Sequence, residues 1–445
     1  MNKNKDYLIT EKPSRALFAF ALPMIIGNLF QQAYTIVDSA IVGHYVGETA
    51  LAAVGASYAL TSIFICVAIG GGIGASVIIS QHFGGHAYSR MKTSIRTAML
   101  SFLLISLMLG GIGLCFSRQI MEALNTPADA MDIAVIYLNI YFYGLPFLFM
   151  YNILSSMFNA LGESRIPLYL LIFSSVLNIF LDLYMVATLH LGVAGAAYAT
   201  FIAQGISAVC SFLIFLHTLR RLDGKAETWF SKAEFSSMSR IALPSILQQS
   251  TVSIGMMLVQ SVVNGFGTQI LAGFSAGMRI ESLCVVPMAA IGNALSSYTA
   301  QNIGAEKHER ISLGYRTANI MVAITAIILC LFLELLHRPL IALFLDGAPS
   351  AQTVATGEGY LRFIGFFFCM IGFKMAVDGI LRGAGAVKVF TIANLVNLGL
   401  RVLIAKLGAP VYGIAMIWYA VPLGWLANFL ISYGYYRTGK WKQIS

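Results

Sequence analysis

Apolar runs long enough to cross a bilayer recur along the whole chain, and no other feature constrains the fold as tightly. The hydrocarbon layer is about 30 Å thick, and a helix needs roughly 20 residues to cross it. Six such runs cover residues 16–43, 50–82, 93–116, 132–160, 166–190 and 192–219. Six more cover 237–264, 270–300, 314–336, 354–382, 388–407 and 411–436. Backbone groups in lipid must be satisfied inside their own element, so each run is expected to be a helix. The runs are continuously apolar rather than alternating, which argues against a β-barrel. The chain is 58% hydrophobic and only 11% charged, too little charge to cover a soluble surface. The expected fold is an all-α integral membrane protein with twelve transmembrane helices. No polar stretch is long enough for a soluble domain, and the longest, 220–240, reads as a linker.

The net charge of +9 might be taken for a nucleic-acid footprint, but its placement says otherwise. Of the 28 Lys and Arg, 21 fall on the loops that share a side with the N-terminus, and Arg118, Arg338 and Lys406 fall on the other. The positive-inside rule makes the first side cytoplasmic, with both termini inside a cell membrane. The six cysteines are scattered singly, with no metal, redox or disulfide spacing. The first apolar run is too long for a cleavable signal and is expected to stay as the first helix.

The second half of the chain echoes the first. "ALPMIIGNLFQQ" from Ala21 faces "ALPSILQQ" from Ala242, which pairs Pro23 with Pro244. Further on, Gly72, Ser76, Gln81, Gly84, Arg90 and Arg96 meet Gly292, Ser296, Gln301, Gly304, Arg310 and Arg316. Tyr137-Leu138 meets Tyr360-Leu361, and Leu177-Asn178 lies opposite Val396-Asn397. Six spans separate the copies, so both halves enter the membrane the same way up. They should form two six-helix bundles related by a pseudo-twofold axis along the membrane normal, as in parallel-repeat transporters. The expected division is an N-terminal lobe 1–219, a cytoplasmic linker 220–236 and a C-terminal lobe 237–445.

A charge at the centre of a bilayer costs about 2.5–3.5 kcal/mol on insertion scales, so a buried acid calls for a function or a partner. Asp38 sits in the first span and Asp182 in the fifth. Asn178 precedes Asp182 by one helical turn and shares its face. Counting residues inward from the helix ends places Asp38, Asn178, Asp182 and Thr200 at one level in the outer leaflet. Tyr34 and Gln31 lie one and two turns below Asp38. Two carboxylates brought together in a low dielectric repel each other and lose water. A shared proton, or a Na⁺ held by Asp38, Asn178, Asp182 and Thr200, would resolve that conflict. A hydrogen-bond network that only locks the bundle is the plainer alternative.

These motifs resemble the multidrug and toxic compound extrusion (MATE) family along essentially the whole chain. "TIVDSAIVGHYVGETALAAVG" is similar to its first-helix motif, "FSAGMRIESL" and "MAAIGNALSSYTAQNIGA" to its eighth helix, and "LRGAGAVK" to the end of its tenth. The resemblance implies exchange of H⁺ or Na⁺ for small organic cations or other amphipathic drugs by alternating access, without a cofactor, by a monomer. It also implies ion coupling at Asp38, Asn178, Asp182 and Thr200, with Gln31 and Tyr34 at neighbouring matched positions, and Asp378 matches an acidic tenth-helix position of the NorM-like branch. By their own placement within spans, Glu281 and Asp378 are expected to line the substrate cavity with Gln31 and Tyr34 and to attract cations. Members on the NorM-like side carry an acid on the seventh helix. This chain has Gln248 and Gln249 there, which leans it toward the DinF-like side.

Other polar residues read more plainly. Lys374 and Asp378 are one turn apart and could pair directly. Structural pairing is also the expectation for Arg279 and Arg401. His82 and His86 read as a solvated pair. "IGGGIGAS" at 69–76 follows no strand, so it reads as close helix packing rather than a nucleotide site. A lipid-linked precursor flippase would be expected to line its cleft with cations, against which the paired acids argue. A channel or receptor lacks a filter-like loop here, and no catalytic constellation marks an enzyme.

Overall fold

The computed structural model describes residues 6–46, 48–124, 126–345 and 349–443. A single helical turn, Tyr7–Thr10, precedes α1 (Pro13–Val46), α2 (Glu48–Gly84), α3 (Tyr88–Ala123), α4 (Ala128–Ala160), α5 (Arg165–Asp182) and α6 (Gly192–Arg220). The second half contains α7 (Lys232–Asn264), α8 (Thr268–Gly304), α9 (His308–Leu343), α10a (Ala351–Gly365), α10b (Phe368–Gly383), α11 (Val387–Tyr412) and α12 (Ala415–Arg437). Eleven of these are long and apolar enough to span, and twelve spans result when α10a and α10b count as one. No strand occurs among the described residues. Several helices outrun the expected spans. α3 has 36 residues, or about 54 Å at 1.5 Å per residue, so its polar ends continue past the apolar run.

Two spans depart from regular helix. In the fifth, α-helical bonding ends at Asp182 and Leu183–Thr188 follow as a π-helix. Such wide turns are rare and cluster at functional sites. In the tenth, α10a and α10b bend by 52°. There the Phe367 N–H bonds the Ile364 carbonyl at 2.9 Å, a tighter i+3 contact that interrupts the ladder just after Gly365.

The chain forms two compact units. One comprises Met1–Ile25 and Leu247–Ser445, and the other Ile26–Ile246. Helices α1 and α7 are therefore each shared. Their division points, after Ile25 and Ile246, keep the spacing that pairs Pro23 with Pro244. Within each unit, the segment entering the shared helix is tied to a helical corner. In the first, Asn302 Nδ2 donates to the Leu8 carbonyl at 3.1 Å, and Arg310 donates to the Glu11 carbonyl. In the second, Lys92 Nζ donates to the Leu222 and Gly224 carbonyls, each at 2.7 Å. There Glu234 also accepts from Ser94 at 2.7 Å and meets His82 Nε2 at 3.1 Å. His82 is thus held by a carboxylate rather than by solvent, while His86 meets the Tyr88 hydroxyl at 2.9 Å.

Lipid tails are as apolar as leucine, so close packing through small residues takes over from hydrophobic burial. A Cβ added to Gly74 would lie 2.6 Å from the Met238 carbonyl oxygen, and one on Gly70 would lie 2.6 Å from the Ile246 nitrogen. The "IGGGIGAS" glycines thus seat the first half of α7 against α2. In the other unit, a Cβ on Gly379 would collide with the Gly292 carbonyl oxygen. Backbone cannot yield as a side chain can, so Gly379→Ala is expected to destabilise by about 1–3 kcal/mol. A thermal scan of the detergent-purified protein should show a lower midpoint. An unchanged midpoint would mean that α8 and α10b separate freely.

Candidate functional site

The π-turn in the fifth span begins where the Asp182 side chain is needed. Asp182 is fully buried, and Asn178, one turn earlier, is 2% exposed. From α1, Tyr34 reaches the same place and its hydroxyl lies 2.6 Å from the Asn178 amide. With that amide turned so that every polar atom has a partner, Nδ2 donates to Tyr34 Oη at 2.6 Å and to Asp182 Oδ2 at 2.9 Å. The Asn178 oxygen then accepts from the Thr200 N–H at 3.0 Å. Asp38, one turn beyond Tyr34, stands within side-chain hydrogen-bonding range of Asp182. Asp182 Oδ1 is buried and faces no protein donor among the described residues. Two carboxylates cannot hydrogen-bond to each other without a proton between them. The arrangement can therefore hold a proton, and its carboxyl and hydroxyl oxygens are of the kind that a small hard cation takes.

The fold thus brings Asp38, Asn178, Asp182, Thr200 and Tyr34 together from α1, α5 and α6. Gln31 is exposed farther along α1, where its carbonyl accepts from Thr35 Oγ1 at 2.9 Å. Tyr137 of α4 stands near both Asp38 and Asp182, and a reading of acids and amides alone misses it. With Thr200, Tyr141 and Gln204 it lines a cavity of about 20 Å³, space for roughly one water. Its trace in the sequence is the repeat, because Tyr137 pairs with Tyr360. The Tyr360 hydroxyl donates to Glu281, so each half sets this tyrosine beside its own acid.

The acids of the C-terminal unit occupy two separate clusters. Glu281 is buried with Tyr360 and faces Arg401 of α11. Asp378 pairs with Lys374 at 2.9 Å and accepts from Ser432 at 2.7 Å. Lys374 also donates to Asn394 Oδ1 at 3.1 Å. Direct pairing therefore holds for Lys374. It does not hold for Arg279, which is exposed and closes no ion pair among the described residues, or for Arg401. No group of three His, Cys, Asp or Glu suited to a metal occurs among the described residues.

A many-span helical bundle in which a half-buried acid faces a fully buried one has the build of a membrane transport protein. The MatE family model matches residues 23–184 and 244–407, one copy in each half, and the chain belongs to that family. It is 31% identical over 433 residues to the probable multidrug resistance protein YpnP of Bacillus subtilis (strain 168), covering 97% of this chain and 96% of that one. A MOP superfamily transporter from Pyrococcus furiosus superposes with a TM-score of 0.91 at 22% identity, covering 98% of each chain. An outward-facing multidrug resistance MATE family transporter superposes at 0.90 and 23% identity, covering 100% of each. Both solved structures have the same twelve-helix fold.

Proposed function

We propose that this protein is a secondary active exporter that takes H⁺ or Na⁺ inward and moves organic, often cationic and amphipathic, compounds outward by alternating access. The observation that carries the reading is the half-buried Asp38 set beside the fully buried Asp182, which is tied through Asn178 to Tyr34 and Thr200. A site that binds a cation in one state and releases it in another can bias a conformational equilibrium, because its affinity differs between the two. The two carboxyl groups stand within hydrogen-bonding range of each other, which favours the proton, and the carboxyl and hydroxyl oxygens leave Na⁺ as the second reading. The membrane potential contributes about 2.3 kcal/mol per charge per 100 mV to either. Multidrug substrates are suggested by the Bacillus relative's name. A flippase is disfavoured because Lys374 is already neutralised by Asp378.

In this reading the lobes are 1–219 and 237–445, joined by 220–236, and the chain works as a monomer with both termini cytoplasmic. Glu281 and Asp378 belong to the substrate side, and the N-terminal half is the coupling centre, as on the DinF-like side of the family. The test is efflux of a fluorescent organic cation from proteoliposomes with pH and Na⁺ gradients imposed separately. Export should follow one gradient and stop when it is collapsed. Equal efflux with neither gradient would overturn the proposal.

A further inference from the structure

The internal repeat carries the coupling site of the first half onto a groove of opposite charge in the second. Asn178 pairs with Asn397, and at the same spacing Asp182 pairs with Arg401. On the spacing that pairs Pro23 with Pro244, Tyr34 pairs with Gly255 and Asp38 with Val259. Both acids are thus gone from the second copy: one position is apolar and the other is a guanidinium. Gly255, Asn397 and Arg401 do not merely correspond by counting. Together with Gln248, Thr251 and Asn394 they line a cavity of about 30 Å³ between α7 and α11, wholly within the C-terminal unit.

The groove has unmet hydrogen-bonding capacity of both kinds. Among the described residues, Arg401 Nε is buried without a partner, and so is Gln248 Oε1. Glu281 faces Arg401, but the two close no ion pair among the described residues, and the Glu281 carboxyl already receives the Tyr360 hydroxyl. A guanidinium does not lose its proton, and it presents a planar fork of donors matched to a carboxylate. A solute group that accepts from Arg401 would meet this capacity, displacing the roughly one or two waters a cavity of this size admits, and an N–H or O–H beside that acceptor would meet Gln248. An Arg turned toward hydrocarbon would be costly, so the groove has to face protein or water.

We infer that the α7–α11 groove is a substrate subsite for the carboxylate of a zwitterionic or anionic organic solute, with Arg401 as the recognising group. This rests on the exporter reading and extends it. The same protein would load a cation in its first half and hold the substrate's negative end in its second.

The test uses two rhodamine dyes that differ by one methyl group: the zwitterionic free acid and its cationic methyl ester. Proteoliposomes with the full-length protein are given each dye under the driving gradient, and the ratio of acid to ester export is measured. Binding of the acid to the detergent-purified protein is followed by fluorescence anisotropy, which needs no transport. In the wild type both dyes should be exported. Arg401→Gln should lower the acid-to-ester ratio about tenfold or more, equivalent to about 1.4 kcal/mol, and weaken acid binding by a similar factor. Arg401→Lys, which keeps the charge, should recover part of both and control for folding. An unchanged ratio, a proportional fall for both dyes, or export of the ester without the acid would overturn the inference while leaving the exporter reading intact. Failure of the wild type to export either dye under either gradient would count against the exporter reading. The effect of Arg401→Gln on acid binding would then decide the subsite by itself.

Discussion

Asp38→Asn is expected to reduce gradient-driven export to the level of protein-free vesicles while leaving the protein folded and in the membrane. Asparagine matches the size of aspartate and keeps its carbonyl acceptor, but it neither takes up nor releases a proton at working pH, and it is a poorer ligand for a hard cation. The substitution also removes the half-buried member of two repelling acids, so thermal stability should be unchanged or higher than in the wild type. That combination separates the proposed role from a structural one. A network that merely locked the bundle would lose stability together with transport. Export at the wild-type rate under both gradients would remove Asp38 from the coupling step. Asp182→Asn should behave in the same way, because the proton or ion is held between the two groups.

How much of this was legible in the sequence depends on the range of the interactions concerned. The spans could be read because lipid imposes a condition on every residue of a run, and length and apolarity report it directly. The convergence of Asp38, Asn178, Asp182 and Thr200 could be reached by counting turns from helix ends, since 1.5 Å per residue fixes depth. Depth does not fix azimuth, and Gln31, placed on the same face two turns away, remains exposed on α1. The π-turn after Asp182 and the break after Gly365 carry no proline or polar signal. They arise from hydrogen-bond partners chosen under tertiary packing, which a local pattern does not encode. His82 shows the same limit: its partner Glu234 is 152 residues away, and without it the ring reads as solvated. Tyr137 and Arg401 were legible in principle, but only by treating the repeat as a map of sites rather than as a mark of duplication. The repeat preserves where a side chain points while the chemistry at that point diverges, as Asp182 and Arg401 show.

Asp378→Asn should abolish export by a different route. Lys374 and Asp378 are 6% and 3% exposed, and their closest charged atoms are 2.9 Å apart. Removing one partner of a buried pair strands the other charge, at a cost of about 3–5 kcal/mol. Asn394 is the other group holding the ammonium, and an amide oxygen does not neutralise it. Lys374→Met should also be harmful, because Asp378 would then keep the Ser432 hydroxyl and the charge of Arg382, one turn along α10b, but no direct ion pair. The double variant Lys374→Met with Asp378→Leu removes both charges and fills the space with apolar side chains, so it should recover most of the lost thermal stability. Such replacements of buried pairs are often neutral or better. Thermal midpoints of the four proteins in detergent give the coupling between the sites, and dye efflux from the same preparations gives the function. A stable double variant that exports the cation would confine the pair to holding α10b in place. A stable double variant that no longer exports would put Asp378 in the path of the substrate. If the single Asp378→Asn protein were as stable as the wild type, the ammonium of Lys374 would have a second counter-charge, and the pair would not be the element that fixes this half of the tenth span.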